Sequence, residues 1–493
     1  VMRLTWLQPE DLLPHEFRQA EEEGRDVTSA RSRWLAAGGS PTPPPSGASP
    51  HPAAPRLRAL AEELLAELDD LDGSFEPVRR LRTRREAPMS GGPGGGSPLG
   101  TGRGGTGESP AGPIHRTRLH AAWLGRAAGC LLGKPVEKLP LEGIRALAGS
   151  TGNWPLNTWF TAQGVPPELT TAYPWNRRSA PTSLAENING MPEDDDLNYP
   201  LLNLLLLRRH GKRFTTHDVA ALWLEELPAA RTFTAERVAY RNLLNGVPPN
   251  RTARHRNPFR EWIGALIRAD VHGWTNPGAP AEAAEQAYRD ACLTHTGNGV
   301  YGAMFAAATI ATAASGTADV HESLAAGLDV VPPDSRLAEA VRRGIELAGA
   351  HRDFDAVVDR LHAEYGRYHW VHVVPNAALL AAALTHADGD FTASITRAVS
   401  GGWDTDSNGA TAGSVAGLLS GHPDALPDRW TAPLGNRLAT SVGGFHGTGF
   451  DTLADLTAHL TADPAPQADA RTPQPGNPAP RPADPIPQEA PRP

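Results

Sequence analysis

The sequence predicts an all-α protein, and three observations carry that prediction. Alternating Val- and Ile-rich runs of the strand type are nearly absent. Ala- and Leu-rich segments recur from His120 to Gly421. Helix punctuation brackets several of them: "LNYPLLNLLLLRRHG" ends in basic residues and Gly211, and "THDVAALWLEEL" opens on Thr216 as an N-cap.

Taken in order, residues 1–86 form a helical N-terminal extension. Its first part, 1–35, is charged and helix-compatible. A Pro-rich linker follows at 38–55, flexible or polyproline-like by composition. Leu57, Leu60, Leu64, Leu68 and Leu71 then fall on one helical face, with Gly73 as a stop, which predicts a solvated helix with one docking stripe. Residues 87–113 are Gly/Pro-rich with few apolar side chains and are expected to be a disordered linker. The dense region is 114–462, a single catalytic-size domain, and 463–493 is a Pro/Ala-rich tail expected to be disordered. Within the dense region, "HAAWLGRAAGCLLG", "PAEAAEQAYRDACLTH", "AMFAAATIATAASG", "LAEAVRRGIELAGAH", "FDAVVDRLHAEYG", "NAALLAAALTH" and "ATAGSVAGLLSG" read as helices.

Composition narrows the function. A net charge of −9 argues against a general nucleic-acid or membrane-surface binder. Cys130 and Cys292 lie in apolar surroundings and read as buried free thiols, consistent with a reducing cytoplasm. The start, "VMRLTWLQPEDLL", lacks the basic-then-apolar pattern of a signal peptide. The most apolar run, Tyr301 to Ala314, is too short to span a bilayer.

Two acidic clusters stand at helix starts. One is Glu193, Asp194, Asp195 and Asp196; the other is "GWDTDSNG", with Asp404, Asp406 and Ser407. Attraction to a helix N-terminus is worth ~0.3–1 kcal/mol per acid and accounts for one or two of them. Carboxylate and hydroxyl oxygens suit Mg²⁺, Mn²⁺ or Ca²⁺ rather than Zn²⁺. The glycines around Asp404 and Asp406 are read as clearing space for a ligand. Mg²⁺-dependent terpene synthases, also all-α, need acid spacings that neither cluster has.

"GRAAGCLLGKPVE" (Gly125 to Glu137), the acidic run, "LTHTGNGVYGAMF" (Leu293 to Phe305) and "GWDTDSNGATAGSVAG" (Gly402 to Gly417) occur in an order that resembles the ADP-ribosylglycohydrolases. The resemblance covers roughly 115–460 and no part of 1–113. It implies an orthogonal multi-helix bundle holding two Mg²⁺ or Mn²⁺ ions and cleaving the glycosidic bond at C1 of the distal ribose of an ADP-ribosyl group. It also implies Asp194, Asp195, Asp196, Asp404, Asp406 and Ser407 as metal ligands, and Glu137, Asp195 and Asp406 as the catalytic acids, with Glu137 near the scissile ribose. The family pattern Thr-Asp-Asp-Thr is replaced here by Glu193-Asp194-Asp195-Asp196. The aspartate pair is therefore 194/195 or 195/196, and 194/195 is favoured.

The remaining candidates are weighed against blander roles. Glu137 alone would be read as a salt-bridge partner of Lys134 or Lys138; the family context favours a role in water attack. Glycines at a helix N-terminus can cradle a phosphate, so His295, Gly297, Asn298 and Gly299 are substrate-binding candidates, together with Glu193, Trp403 and Asn408. Arg268 and Asp270 read as a buried pair. Trp154, Trp159 and Trp175 read mainly as core filler. The irregular stretch 151–190, with Arg177 and Arg178, has the character of a lid. The expected function is release of ADP-ribose from an ADP-ribosylated protein or small molecule by a cytoplasmic monomer. The alternatives are hydrolysis of another ribosyl or nucleoside conjugate, or a non-catalytic ADP-ribose- or nucleotide-binding module.

Overall fold

The computed structural model describes residues 3–45, 47–70 and 112–462. The rest of the expected N-terminal extension, with Leu71 and Gly73, nearly all of the expected linker 87–113 and the expected tail 463–493 lie outside the described residues. Regular structure among the described residues is helical, apart from two isolated bridges, Met191 to Leu438 and Trp262 to His372. Three helices make up the N-terminal part: α1 (Pro9–Glu22), α2 (Thr28–Ala36) and α3 (Pro55–Asp70). Helix α4 (Pro113–Gly133) opens the main body.

The centre of the body is the crossing of α4 with the Thr405–Ser420 helix, the most extensive helix pair in the protein. A Cβ at Gly125 would strike the Gly413 carbonyl, one at Gly129 the Gly409 carbonyl, and one at Gly133 the Thr405 backbone. Small residues on both helices thus let the two backbones touch. This corrects the expectation that the glycines of "GWDTDSNGATAG" make room for a ligand: Gly409 and Gly413 make room for α4. The close crossing brings the end of α4, and the short 3₁₀ turn Lys134–Val136 after it, against Asp404 and Asp406.

The Asp195–His210 helix is buried from Asp196 to Leu207, with leucines on every side and its buried Asn203 bonded to Asp290 at 3.0 Å. It ends in Arg208, Arg209 and His210, with Gly211 at φ 66° as its cap. The next helix, Thr216–Glu226, is capped by Thr215 rather than Thr216. Thr215 Oγ1 accepts the Asp218 N–H and Asp218 Oδ2 accepts the Thr215 N–H at 2.7 Å, a reciprocal capping box one residue earlier than expected.

Leu12, Leu13 and Phe17 of α1, Trp34 of α2, and Leu64, Leu65 and Leu68 of α3 are buried in one core continuous with that of the body. The Arg260 guanidinium, 2% exposed at its side chain, donates to Glu16 and Glu23 of the N-terminal part at 2.7 Å each. Arg268 and Asp270 are both buried, but not with each other. Arg268 bonds Asp290 (2.9 Å) and Glu236 (3.0 Å), while Asp270 takes Arg126 at 2.9 Å. Cys130 is buried and Cys292 only half-buried, and both are free thiols. Among the described residues no helix is long and apolar enough to cross a membrane.

Candidate active site

Asp194 is the N-cap of the Asp195–His210 helix, and its Oδ1 accepts the Asp196 N–H at 2.9 Å. Its Oδ2 takes the buried ammonium of Lys134. Burial alone would favour the neutral amine, but Asp194 outweighs it and keeps Lys134 charged. Asp196 is 1% exposed and held on both oxygens: Arg126 donates to Oδ1 at 3.2 Å and Ser407 Oγ to Oδ2 at 3.2 Å. Asp195 is half-buried and lines the cleft between the clusters.

Across from them, Asp404 and Asp406 stand at the start of the Thr405–Ser420 helix, and the Asp404 N–H donates to Asn376 Oδ1 at 3.1 Å. Glu137, at the end of the turn that follows α4, completes a triad. One carboxylate oxygen from each of Glu137, Asp404 and Asp406 lies within 4.8 Å of the others. Glu137 Oε2 accepts from Asn176 Nδ2 at 2.6 Å, and Oε1 lies 3.1 Å from Lys138 Nζ.

Six carboxylates (Glu137, Asp194, Asp195, Asp196, Asp404 and Asp406) thus meet three bonded cations (Lys134, Lys138 and Arg126). The shortage of positive charge shows in their acidities. Burial, together with Glu137 and Asp194, pushes Asp406 up to about 7. Burial and neighbouring carboxylates push Asp195, Asp196 and Asp404 well above the usual range. An all-oxygen triad with unmatched negative charge fits a hard divalent cation. A second group, Cys130, Asp194 and Asp196, is also close enough to share an ion. It already holds Lys134, and burial keeps the Cys130 thiol protonated.

The carboxylates line a cleft of about 400 Å³, within the range of small-molecule sites. The ADP-ribosylglycohydrolase family pattern matches residues 111–467, most of the chain. The chain belongs to the ADP-ribosylglycohydrolase family. Membership carries a hydrolase activity of that type, and the all-α fold agrees with it. An uncharacterized protein of Archaeoglobus fulgidus is 28% identical over 331 residues, covering 66% of this chain and 95% of that protein. A solved ADP-ribosylglycohydrolase-related protein complex aligns with 71% of this chain and 98% of its own, at 21% identity and a TM-score of 0.43.

The cleft of this family member gathers Glu137, Glu193, Asp194, Asp195, Asp196, Asp404, Asp406 and Ser407. Glu193 is tied down there: Oε1 accepts the Ser441 N–H at 2.9 Å and Oε2 pairs with Arg231 at 2.9 Å. The other expected substrate residues are not among those lining it. Trp403 stacks on His362, with centroids 3.9 Å apart and planes 3° from parallel. Asn408 donates to Asn376 Oδ1 at 2.7 Å. The helix starting at Gly297 has its N-terminal N–H groups facing a carboxylate of the protein itself: Glu261 Oε1 accepts from Asn298 N at 3.0 Å and from Asn298 Nδ2 at 2.9 Å. An internal anion occupies the place expected for a phosphate. A Cβ on Gly297 would meet that same oxygen, and one on Gly299 the Arg260 carbonyl. His295 is buried, with Nδ1 2.6 Å from Thr294 Oγ1, and burial holds its pKa well below the usual histidine value.

Several cleft residues escaped the sequence reading. Lys134 was visible only as a neighbour of Glu137. Of the pair expected in the irregular 151–190 stretch, Arg178 lines the cleft and Arg177 is not among its lining residues, while Asn176, Ser179 and Thr182 of the same stretch carried no signal of their own. Trp6, Phe233 and Trp370 carried no signal that periodicity or motif could reveal.

Proposed function

We propose that the protein hydrolyses the glycosidic bond at C1 of the ribose in an ADP-ribosylated protein or small molecule and releases ADP-ribose. The observation that carries this reading is the convergence of Glu137, Asp404 and Asp406 in one cleft of a family member. Residues 114–462 are the catalytic unit, with the N-terminal helices docked on it. Asp404, Asp406 and Ser407 on one side and Asp194, Asp195 and Asp196 on the other would hold two Mg²⁺ or Mn²⁺ ions. When bound, such ions would supply positive charge to hold and polarise the ribose.

The chain's own groups do the rest. Glu137 accepts the proton of the attacking water. The Asn176 amide, donating at 2.6 Å, orients that carboxylate and leaves its other oxygen toward Lys138 and the cleft. Asp196, locked by Arg126 and Ser407, keeps the two acidic segments in register. A panel of ADP-ribosylated substrates assayed with Mg²⁺, Mn²⁺ and EDTA tests the reading. Metal-dependent release of ADP-ribose from at least one linkage is expected. Tight ADP-ribose binding with no turnover on any linkage would replace it with a binding module.

A further inference from the structure

Trp6 lies 105 residues before the first position matched by the family pattern (111 − 6), yet it lines the same cleft as the carboxylates. Its backbone sits at φ 64°, a left-handed conformation that costs a bulky side chain free energy and persists only where surroundings impose it. The surroundings do impose it. The Trp6 N–H donates to the Gly47 carbonyl at 2.6 Å, and a side chain at position 47 would collide with the indole. The Arg237 guanidinium grips the preceding residue, with Nη1 2.6 Å from Thr5 Oγ1 and 3.1 Å from the Thr5 carbonyl. The indole meets Phe259 and Trp262 edge-on, at 5.5 and 5.9 Å between centroids, and remains half-buried. Phe233 and Trp370, each half-buried, line the cleft with it, while the carboxylates supply its opposite chemistry.

We infer that Trp6 gives the N-terminal extension a direct part in substrate recognition, presenting an aromatic surface on which the adenine ring of the ADP-ribosyl group stacks. The inference rests on the ADP-ribose reading of the cleft. A purine has a flat, polarisable face and no charge, so aromatic side chains recognise it better than the acidic side of the cleft does. The strained and doubly anchored backbone is what a fixed platform requires. A tryptophan serving only as filler under α1 would gain nothing from lining the cleft.

The test titrates the full chain, in the presence of Mn²⁺, with ADP-ribose and with ribose 5-phosphate, which lacks the base. The proteins are the parent, Trp6→Leu and Trp6→Phe. Leucine keeps an apolar plug against Phe259 and Trp262 but offers no flat face; phenylalanine restores one. Trp6→Leu should bind ADP-ribose about tenfold more weakly, the size of one base stacked on one ring. It should bind ribose 5-phosphate as the parent does, and Trp6→Phe should recover most of the ADP-ribose affinity. Unchanged ADP-ribose binding in Trp6→Leu overturns the inference, and so does an equal loss for both ligands, which would make Trp6 scaffold. A parent that binds neither ligand overturns the ADP-ribose reading and this inference with it. A parent that binds both, with no discrimination by Trp6→Leu, leaves that reading standing and removes only Trp6.

Discussion

Ser407 donates its hydroxyl to Asp196 Oδ2 at 3.2 Å, joining two acidic segments 211 residues apart in the chain. Both residues are buried, and the other oxygen of Asp196 is held by Arg126, which also grips Asp270. The two halves of the site are therefore fastened by protein contacts alone. The fastening leaves the charge of Asp195, Asp404 and Asp406 unmatched, while Glu137 has Lys138 at 3.1 Å.

That surplus predicts a thermal response to cations. Mg²⁺ or Mn²⁺ should raise the melting temperature of the parent, since binding to the folded state stabilises it by about 2.7 kcal/mol at a hundredfold excess over Kd. Asp406→Asn keeps the volume and removes one charge of the triad, so its metal-induced shift should be much smaller. Lys134→Met leaves Asp194 without its ammonium; its melting point without metal should fall, and its recovery on adding Mn²⁺ should exceed the parent's. Equal shifts in all three proteins, by scanning fluorimetry, would remove these carboxylates from any cation site.

Glu137→Gln preserves shape and can still bond Asn176, but cannot take a proton. A positioned general base contributes roughly 10²–10⁴-fold, so kcat should fall by about that factor while ADP-ribose affinity by calorimetry changes little. Unchanged turnover would return Glu137 to the salt-bridge role it has with Lys138 at 3.1 Å.

The sequence revealed helices and acids well because both are written locally. A basic last turn and Gly211 mark the end of the Asp195–His210 helix without knowledge of its neighbours. The same holds for Asp404, Asp406 and Ser407, which occupy one helical turn. What was illegible depends on distant partners. Nothing local says that Gly409 meets Gly129, that Glu261 caps the Gly297 helix, or that Asp270 chooses Arg126 over Arg268. Trp6 is the extreme case, a single aromatic whose neighbours Phe259 and Trp262 lie more than two hundred residues away.

The glycine contact gives a prediction about packing and site together. Gly409→Ala places a methyl against the Gly129 carbonyl, and backbone cannot swing aside as a side chain can. Overpacking of this kind costs about 1–3 kcal/mol. Denaturant titration should show that loss, and spreading α4 from the Thr405–Ser420 helix should also weaken the cation-induced stabilisation, because Glu137 comes just after α4 while Asp404 and Asp406 stand at the start of its partner. Gly349→Ala, where a Cβ meets nothing within 4 Å, is the control: it should lose no stability, gaining up to about 1 kcal/mol from helix propensity, and should keep the full cation response. A destabilised Gly409→Ala with a full metal response would separate the crossing from the site.

The last prediction concerns pH, and it rests on Glu261. This carboxylate is buried and accepts from Gln19 Nε2 of α1 at 3.0 Å and from Asn298 of the Gly297 helix, with Arg336 and His372 beside it. Burial alone would raise its pKa, but Arg336, His372 and Asn298 outweigh burial and hold it well below the ordinary 4.5. A carboxylate depressed in the folded state adds stability that is fully present above 4.5 and is lost as the pH falls toward its folded value. Glu23, buried against Arg260, is shifted in the same direction. His372 moves the other way. Burial would lower it, yet Glu22 and Glu261 raise it above 6.5, so its contribution is present below 6.5 and fades as the pH rises through the folded value. Glu261→Gln leaves Arg336 without its carboxylate and His372 with Glu22 alone, and removing one partner of a buried pair costs about 3–5 kcal/mol. At pH between 4.5 and 6.5 the variant should melt well below the parent. Below 4.5 the gap should narrow, because the unfolded parent takes up a proton at Glu261 that the folded parent does not, and the two should converge as the pH nears the folded value. The comparison is read as the difference between two calorimetric melting curves in EDTA, so the titration of the cleft carboxylates cancels. A gap that stays constant as the pH falls would mean that Glu261 holds the N-terminal helices by shape and hydrogen bonding rather than by charge.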